Sequence, residues 1–284
     1  HAMDLAAAAS RDIRVVSAPD QSSQKPILQA LKSHFPALVS TADPGLLDLR
    51  QSSSPIVTLG PAALRRTLEL DSRSPLVSAL TSSQVYRRLL ASAGRDAGNS
   101  TALFAEASPS NQMQLIAAIF ERKVTVGVLL SEASSYLEKP LRLAAQQSGL
   151  ELLLAHTEPG QDPVRAINAL GGVHALLAVP DNTLYTPDTL RAMLESTYRR
   201  GLPVIGFSAA TVNAGTLASA WSDPEDVAAD LIELLDNINL SSLPEARYPR
   251  YWRVNINDNV ARSLGLLISD KVRAMGTRPP GRAG

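Results

Sequence analysis

The sequence predicts an α/β protein of two lobes, each built on a parallel β-sheet. Its apolar runs are short and do not alternate with polar residues, and residues 124–130 are the strongest example. Such runs are typical of strands that helices cover on both faces, as in a parallel sheet. Segments with helical periodicity separate the runs, so strand and helix alternate along the chain. At 284 residues, the chain is long enough for two domains with separate cores.

The first half of the chain contains four predicted strands. They are residues 12–17, 37–41, 55–59 and 75–80. Predicted helices follow three of these strands, at residues 25–34, 61–69 and 82–93. Pro61 suits the first turn of its helix, and Thr81 or Ser82 is placed to cap the next one. The polar segment 94–100 is the predicted linker to the second half.

The second half continues the alternation. Its predicted strands are residues 101–105, 124–130, 150–156, 175–179 and 202–207, and its predicted helices are residues 109–120, 134–148, 162–170 and 187–200. Ser134 and Ser135 are expected to cap one helix, and Ser222 is expected to cap another at residues 224–237. A strand at 252–256 and a helix at 257–264 come next, and residues 276–284 are predicted to be disordered. This alternation implies right-handed crossovers and a parallel sheet in each half.

Composition excludes several classes of function. Lys plus Arg and Asp plus Glu number 27 each, so no net charge attracts nucleic acid to the chain. The absence of cysteine excludes disulfides, thiolate metal sites and thiol nucleophiles. No apolar run approaches the roughly 18 to 20 residues that are needed to cross a bilayer.

Motifs for catalysis and for cofactors are also missing. His34, His156 and His174 have neither HExxH spacing nor a serine-elbow glycine pattern to recruit them. The chain contains no GxGxxG fingerprint and no GxxxxGK[ST] loop. The adjacent carboxylates Glu225 and Asp226 are explained by the helix dipole. We therefore expect a protein that is not an enzyme, with no catalytic residues, no metal site and no cofactor.

A strand, helix, strand unit at residues 172–221 contains the strongest candidate site. In parallel sheets, the ligand crevice lies beyond the carboxyl ends of the strands. Asp181 and Asn182 follow one predicted strand of this unit, and Phe207 and Ser208 end the next. These residues are placed where a small molecule could be recognised. The alternative is that residues 180–182 form only a turn, with Asn182 or Thr186 capping the next helix.

Five short motifs occur in a fixed order over residues 101–266. They are VGVLLSEASS (126–135), VPDN (179–182), PVIGFS (203–208), NAGTLAS (213–219) and VNINDNVARSLGL (254–266). In this order they resemble the ABC transporter substrate-binding proteins whose better-known members bind aromatic amino acids. The first 95 residues resemble that family less. The stretch between the first strand and PIVTLG is shorter than in that family. The loop after PLVSAL lacks the Asp-Pro pair that is common in the family at this position.

The resemblance implies the type I periplasmic binding protein fold, in which two Rossmann-like lobes with parallel sheets are joined by three crossover segments. These segments would lie near residues 100–107, 216–223 and 248–253. Lobe 1 is then residues 11–100 plus 223–247, lobe 2 is residues 101–222 plus 248–273, and residues 1–10 and 274–284 are tails. In this fold, the lobes close like a hinge around a solute in the cleft between them.

The ligand contacts implied by the resemblance come from strand-end loops of both lobes. Lobe 1 would contribute Ser17, Gln21, Thr58, Gly60 and Thr81, and lobe 2 would contribute Ser131, Ser134, Ser135, Asp181, Asn182, Phe207 and Ser208. Helix starts offer free backbone N–H groups to a carboxylate, and Asp181 could bind an ammonium group. The alternatives are structural. The serines could serve only as helix caps, Thr58 could be an ordinary strand residue, and Phe207 could fill the core.

The implied function is that of a periplasmic solute-binding protein, which captures a small molecule such as an amino acid or related metabolite for the membrane permease of an ABC transporter. The alternative is a periplasmic sensor or interaction module of the same fold that signals to a membrane receptor or kinase without transport. The shortened first lobe and the missing Asp-Pro pair favour this alternative. In both cases we expect a secreted protein that binds no nucleic acid and whose export signal precedes residue 1.

Overall fold

The computed structural model describes residues 12–18, 22–95 and 97–281. Contacts among them divide the chain into two compact units. Unit 1 contains the chain up to Ala105, Ser222–Tyr251 and the chain from Arg278 onward. Unit 2 contains Glu106–Trp221 and Trp252–Thr277. Each unit has its own sheet and its own hydrophobic core, as the alternation of strand and helix predicts.

Unit 1 is built on a sheet of parallel strands. They are β1 (Arg14–Val16), β2 (Val39–Thr41), β3 (Ile56–Leu59), β4 (Leu76–Thr81) and β5 (Ser100–Phe104), in the spatial order β2-β1-β3-β4-β5. The helices are α1 (Lys25–His34), α2 (Pro61–Leu68), α3 (Ser83–Ala93) and, from the later segment of the chain, α9 (Pro224–Asn237).

Helices cover both faces of this sheet. Leu31 of α1 packs with Leu231 of α9 on one face, and Leu64 of α2 packs with Tyr86 of α3 on the other. Because both faces are buried, a strand can be apolar along its length without exposing apolar surface. All residues of β3 are buried, although one of them is the polar Thr58.

Unit 2 is built on a larger sheet of six strands. They are β6 (Thr125–Leu130), β7 (Glu151–His156), β8 (Ala175–Leu177), β9 (Val204–Ile205), β10 (Ala218–Trp221) and β11 (Arg253–Ile256), in the spatial order β11-β10-β9-β8-β6-β7. The helices are α4 (Pro109–Phe120), α5 (Glu138–Gln147), α6 (Pro163–Asn168), α7 (Pro187–Arg199), α8 (Ala209–Ala214), α10 (Asp258–Ser263) and α11 (Asp270–Arg273). Only β11 is antiparallel to its neighbour, β10. In the described part of the chain, no helix is both long and apolar enough to span a membrane.

Two predicted boundaries, the start of the second half and the start of the C-terminal tail, differ from those in the structure. Residues 101–105 were expected to open the second half, but β5 pairs with β4 and completes the sheet of unit 1. The predicted linker 94–100 therefore connects two elements of the same unit. Residues 274–277 do not form a tail, because the backbone of Thr277 exchanges hydrogen bonds of 3.1 and 3.0 Å with Trp252.

Two helix caps also differ from the prediction. Ser131 begins a 3₁₀ helix, Glu132–Leu137, that leads into α5, and Ser134 returns the capping hydrogen bond to the Ser131 backbone. Asp223, not Ser222, caps α9, since its side chain accepts from the Asp226 N–H at 2.7 Å. The hydroxyl of Ser222 instead donates to the carbonyl of Tyr251.

Candidate functional site

A hydrogen-bonded network joins the carboxyl ends of β6 and β8 in unit 2. The hydroxyl of Ser131, directly after β6, donates to Asp181 Oδ2 at 2.5 Å. Asp181 Oδ1 accepts from the Thr183 hydroxyl at 2.6 Å and from the Thr183 backbone N–H at 2.8 Å. The backbone N–H of Leu184 lies 3.2 Å from the same oxygen. The carboxylate of Asp181 therefore fixes the loop after β8 to the loop after β6.

Asp181 is only 1% exposed, so its charge is held away from water. Burial raises the pKa of this carboxyl group, but hydrogen bonds from Ser131, Ser134 and Thr183 together lower the pKa of Asp181 below its ordinary value. The carboxylate is thus ionised at neutral pH, and both oxygens serve the loop itself. Residues 181–184 thus form a turn, which was the alternative to a ligand contact at this position. An ammonium group at Asp181 would have to compete with these donors.

The network forms one wall of a cavity of about 580 Å³. The loops that follow β6, β7 and β8 line it, and their polar groups include those of Ser131, Glu132, Thr157, Glu158, Gln161 and Thr183. Leu184 and two prolines add apolar surface, and no lysine or arginine is among the lining residues. Hydroxyl, amide and carboxylate groups thus surround a space large enough for a small organic molecule.

A second cavity of unit 2, of about 460 Å³, lies beside the end of β9. Phe207 and Ser208 line it together with Tyr185, Leu190 and Arg191. The ring centroids of Tyr185 and Phe207 are 6.1 Å apart. Burial, together with the nearby charge of Asp181, raises the pKa of Tyr185, so its phenol is neutral at physiological pH. Phe207 and Ser208 therefore face a more apolar space than Ser131 does.

The loop after β9 depends on a glycine and a threonine. The Thr211 hydroxyl accepts from the backbone N–H groups of Phe207 and Ser208, both at 3.1 Å, and Ser208 caps α8. A Cβ atom on Gly206 would lie 2.2 Å from Thr211 Oγ1 and 2.8 Å from Thr216 Oγ1. Only glycine leaves room for this hydrogen bonding at the strand end.

The remaining predicted contacts of unit 2 divide between this network and the surface. Ser134 is fully buried and supports the Ser131 turn. Ser135 is exposed and donates to the carbonyl of Glu132 at 2.9 Å. Asn182 is exposed beside Asp181. The structure therefore brings Ser131, Ser134 and Asp181 into one network and leaves Ser135 and Asn182 on the surface.

The predicted contacts of unit 1 are spread over three strand ends. Ser17 follows β1 and is half-buried, and Thr81 ends β4 with 1% exposure. Thr58 is fully buried, and its hydroxyl has no hydrogen-bond partner among the residues that the structure describes. Gly60 occupies the position before the first residue of α2 with a φ of +94°, a conformation that favours glycine. Gln21 lies outside the described residues.

Sequence reasoning missed Gln24. This residue is 4% exposed, and its amide donates to the Leu59 carbonyl at 2.9 Å and accepts from the Ala18 N–H at 3.3 Å. It thereby connects the ends of β1 and β3. No local pattern marks it, because both of its partners are backbone groups that only the fold brings together.

The cavity-lining residues after β7 and β8 were missed as well, although signals for them exist. Asp181-Asn182-Thr183 is a sequence in which the aspartate side chain can accept from the backbone two residues on. The carboxyl-end rule, applied to the predicted strand 150–156, points to Glu158 and Gln161.

The three histidines of the described residues have structural contacts away from this network. His34 contacts Asp236 at 2.9 Å, His156 lies 3.6 Å from Glu138, and His174 Nδ1 accepts from the Thr125 N–H at 2.9 Å. Within residues 12–18, 22–95 and 97–281, no three His, Cys, Asp or Glu side chains are grouped to hold a metal ion. The arrangement at the strand ends is suited to binding through hydrogen bonds.

Solved structures similar to this chain share one architecture. The ABC domain of Streptococcus pneumoniae in complex with L-Trp is 17% identical, with a TM-score of 0.60 over 93% of this chain and 97% of that one. A conserved domain protein from Vibrio cholerae is 19% identical, with a TM-score of 0.59 over 93% and 98%. The ligand-free, open structure of a substrate-binding protein with adhesive properties from Clostridium difficile is 13% identical, with a TM-score of 0.64 over 93% and 97%.

No family model and no curated protein matches the sequence. The comparison therefore concerns architecture: two α/β units, largely parallel sheets and nearly full coverage of both chains. This is the architecture that the five motifs implied. The chain has the type I periplasmic binding protein fold, the fold of the ABC transporter solute-binding proteins that it resembles in structure.

Proposed function

We propose that this protein is a periplasmic solute-binding protein that captures a polar small molecule for the membrane permease of an ABC transporter. The observation that carries the proposal is the cavity of about 580 Å³ at the carboxyl edge of unit 2. Two structural relatives support a small-molecule ligand, since one is a substrate-binding protein and the other was solved with L-Trp.

The cavity is suited to this task because its wall is already in place. The ionised carboxylate of Asp181 holds Ser131 and Thr183 in fixed positions before any ligand arrives. A pre-organised wall avoids the entropy cost of ordering loops during binding. In this proposal, Asp181 and Ser134 position the loops, and the side chains that line the cavity contact the solute.

The other predicted contacts keep their proposed roles at neighbouring strand ends. In unit 2 these are Ser135, Asn182, Phe207 and Ser208, and in unit 1 they are Ser17, Gln21, Thr58, Gly60 and Thr81. Asn182 is the best placed of them, because it is exposed next to the network. Thr58 is the least accessible, and a ligand would reach it only if the chain around β3 moved.

Thermal unfolding in the presence of amino acids, sugars and related metabolites tests the proposal. At 100 times its Kd, a ligand that binds only the native state stabilises a protein by about 2.7 kcal/mol. We expect one compound class to raise the Tm by several degrees at millimolar concentration. Thr183→Val should weaken the shift, whereas Ser263→Ala, an exposed substitution at the last residue of α10, should leave it unchanged. No shift with any compound would contradict the proposal.

A sensor without a transport role is the second candidate. It is favoured by the loop after β4, where the sequence lacks the Asp-Pro pair. Within β4, just before that loop, Leu80 has a φ of +59°, and the register with β5 shifts between Ala79 and Thr81. Capture of membrane proteins by the purified chain separates the two roles. Recovery of a permease without a receptor or kinase would count against the sensor.

A further inference from the structure

Four arginines lie at matching positions on two neighbouring helices of unit 1. Arg65 and Arg66 are the fifth and sixth residues of α2, and Arg87 and Arg88 are the fifth and sixth residues of α3. Each helix starts within two residues of the end of its strand, and β3 and β4 are parallel neighbours. The helices pack side by side on the same face of the sheet, typically about 8 to 10 Å apart. The arginines therefore lie at similar heights on adjacent helices.

Three of these side chains face away from the sheet. The buried residues of α2 and α3 include Leu64 and Tyr86, which pack in the core beneath the helices. Arg65, Arg87 and Arg88 are exposed. Arg66 is half-buried, and its guanidinium donates to the Ser17 carbonyl at 3.3 Å, which orients it toward the end of β1.

Three of the four charges have no carboxylate partner in the part of the chain that the structure describes. Within the described residues, Arg65, Arg66 and Arg88 form no ion pair. Arginines elsewhere on the surface do form such pairs, as Arg142 does with Glu138 at 3.1 Å. The net charge of the chain is zero, so these charges create a local positive region without a general attraction for polyanions.

We propose that this region, the arginine surface (Arg65, Arg66, Arg87 and Arg88), docks an acidic segment of a protein partner. A guanidinium binds a carboxylate through two parallel hydrogen bonds, so carboxylates spaced along a peptide can pair with fixed arginines. This interaction is distinct from solute binding at the strand ends.

The lack of large exposed apolar side chains on α2 and α3 favours an acidic protein segment over a membrane surface as the partner. Stable membrane attachment requires an apolar anchor or a longer basic cluster, because each Lys or Arg near an anionic bilayer contributes only about 1 kcal/mol. No large apolar side chain of α2 or α3 is among the exposed ones. Carboxylates that approach the arginines individually fit this surface better than a planar array of headgroups.

Binding of poly-L-glutamate to the full chain tests the proposal. We expect salt-sensitive binding that the double variant Arg65→Gln, Arg88→Gln weakens at least tenfold. The matched control is Arg165→Gln, Arg199→Gln, which removes two exposed arginines from unit 2 and should bind like wild type. Unchanged thermal unfolding of both variants shows that neither effect comes from misfolding.

Three outcomes overturn the proposal. Equal losses in the two double variants would mean that net charge alone drives binding, and no loss in either would mean that the arginine surface is not the site. The third outcome concerns vesicles of phosphatidylglycerol and phosphatidylcholine. Sedimentation of the chain with them, abolished by Arg65→Gln, Arg88→Gln, would identify a lipid surface instead.

Discussion

At the residue scale, Asp181 determines whether the cavity wall exists. Asp181→Asn replaces one carboxylate oxygen with an NH₂ group that faces hydroxyl and N–H donors. We expect a loss of about 1–3 kcal/mol in unfolding free energy, the usual cost of leaving a buried polar group unpaired. Urea unfolding at pH 7 measures this loss. Asp188→Asn, in the exposed first turn of α7, is the control and should cost less.

The same variant tests how the Asp181 charge makes the stability of the protein depend on pH. The pKa of Asp181 is lower in the folded protein than in the unfolded chain, where it is about 3.9. Its contribution is therefore present above that unfolded value and is lost as pH falls through the folded pKa. The stability difference between wild type and Asp181→Asn should shrink as the pH is lowered from about 4 toward about 3. A difference that stays constant over this range would show that the charge is not responsible.

Gly206 provides a steric test at the end of β9. Gly206→Ala places a methyl group 2.2 Å from Thr211 Oγ1 and 2.9 Å from Thr211 Cβ, so the turn that holds Phe207 and Ser208 must shift. We expect a loss of about 1–3 kcal/mol in unfolding free energy, as for other overpacked sites. Gly171→Ala is the matched control, because its Cβ would meet nothing within 4 Å. If both variants unfold at the same urea concentration, the turn is not tightly packed.

At the element scale, α9 depends on a cap from the residue just before it. The Asp223 carboxylate accepts from the Asp226 N–H, and the Asp226 side chain accepts from the Asp223 N–H at 3.1 Å. Asp223→Ala removes the first bond and should lower the unfolding free energy by about 1 kcal/mol. Glu245→Ala removes the same charge from an exposed loop residue and should have a smaller effect in the same urea titration.

Elements with a strong local pattern could be predicted from the sequence. Helices 25–34 and 109–120 have the expected bounds, because their apolar periodicity and prolines define where they start. The sheet to which residues 101–105 belong could not be predicted. The apolar run of residues 101–105 would fit into either sheet, and only its pairing with β4 decides between them. The Ser131 cap was missed because several serines follow β6 and each of them is a plausible cap.

The candidate site shows the same limit. The family resemblance pointed to Ser131, and the carboxyl-end rule placed Asp181 beyond the end of its strand, where the structure has it. It could not show that the Asp181 carboxylate points inward, since its hydrogen-bond partner Ser131 is separated from it by 50 residues of sequence. The cavity wall after β7 was also overlooked, because its residues carry no motif.

At the scale of the whole molecule, each unit buries a core made of its own residues. Leu31 belongs to the core of unit 1 and Leu141 to the core of unit 2, and both are fully buried. The chain has two tryptophans, Trp221 and Trp252, and both belong to unit 2. Tryptophan fluorescence therefore reports on unit 2, whereas far-UV circular dichroism reports on the helices of both units.

Because the cores are separate, we expect different effects from two equivalent substitutions, each of which leaves a cavity in one core. Leu31→Ala and Leu141→Ala should each destabilise their own core by about 2–5 kcal/mol. In urea, Leu141→Ala should lower the midpoint measured by fluorescence. Leu31→Ala should lower part of the dichroism transition and leave the fluorescence midpoint unchanged, because it removes no contact from the core around Trp252. If Leu31→Ala shifts the fluorescence midpoint as far as Leu141→Ala does, the two units unfold as a single cooperative structure.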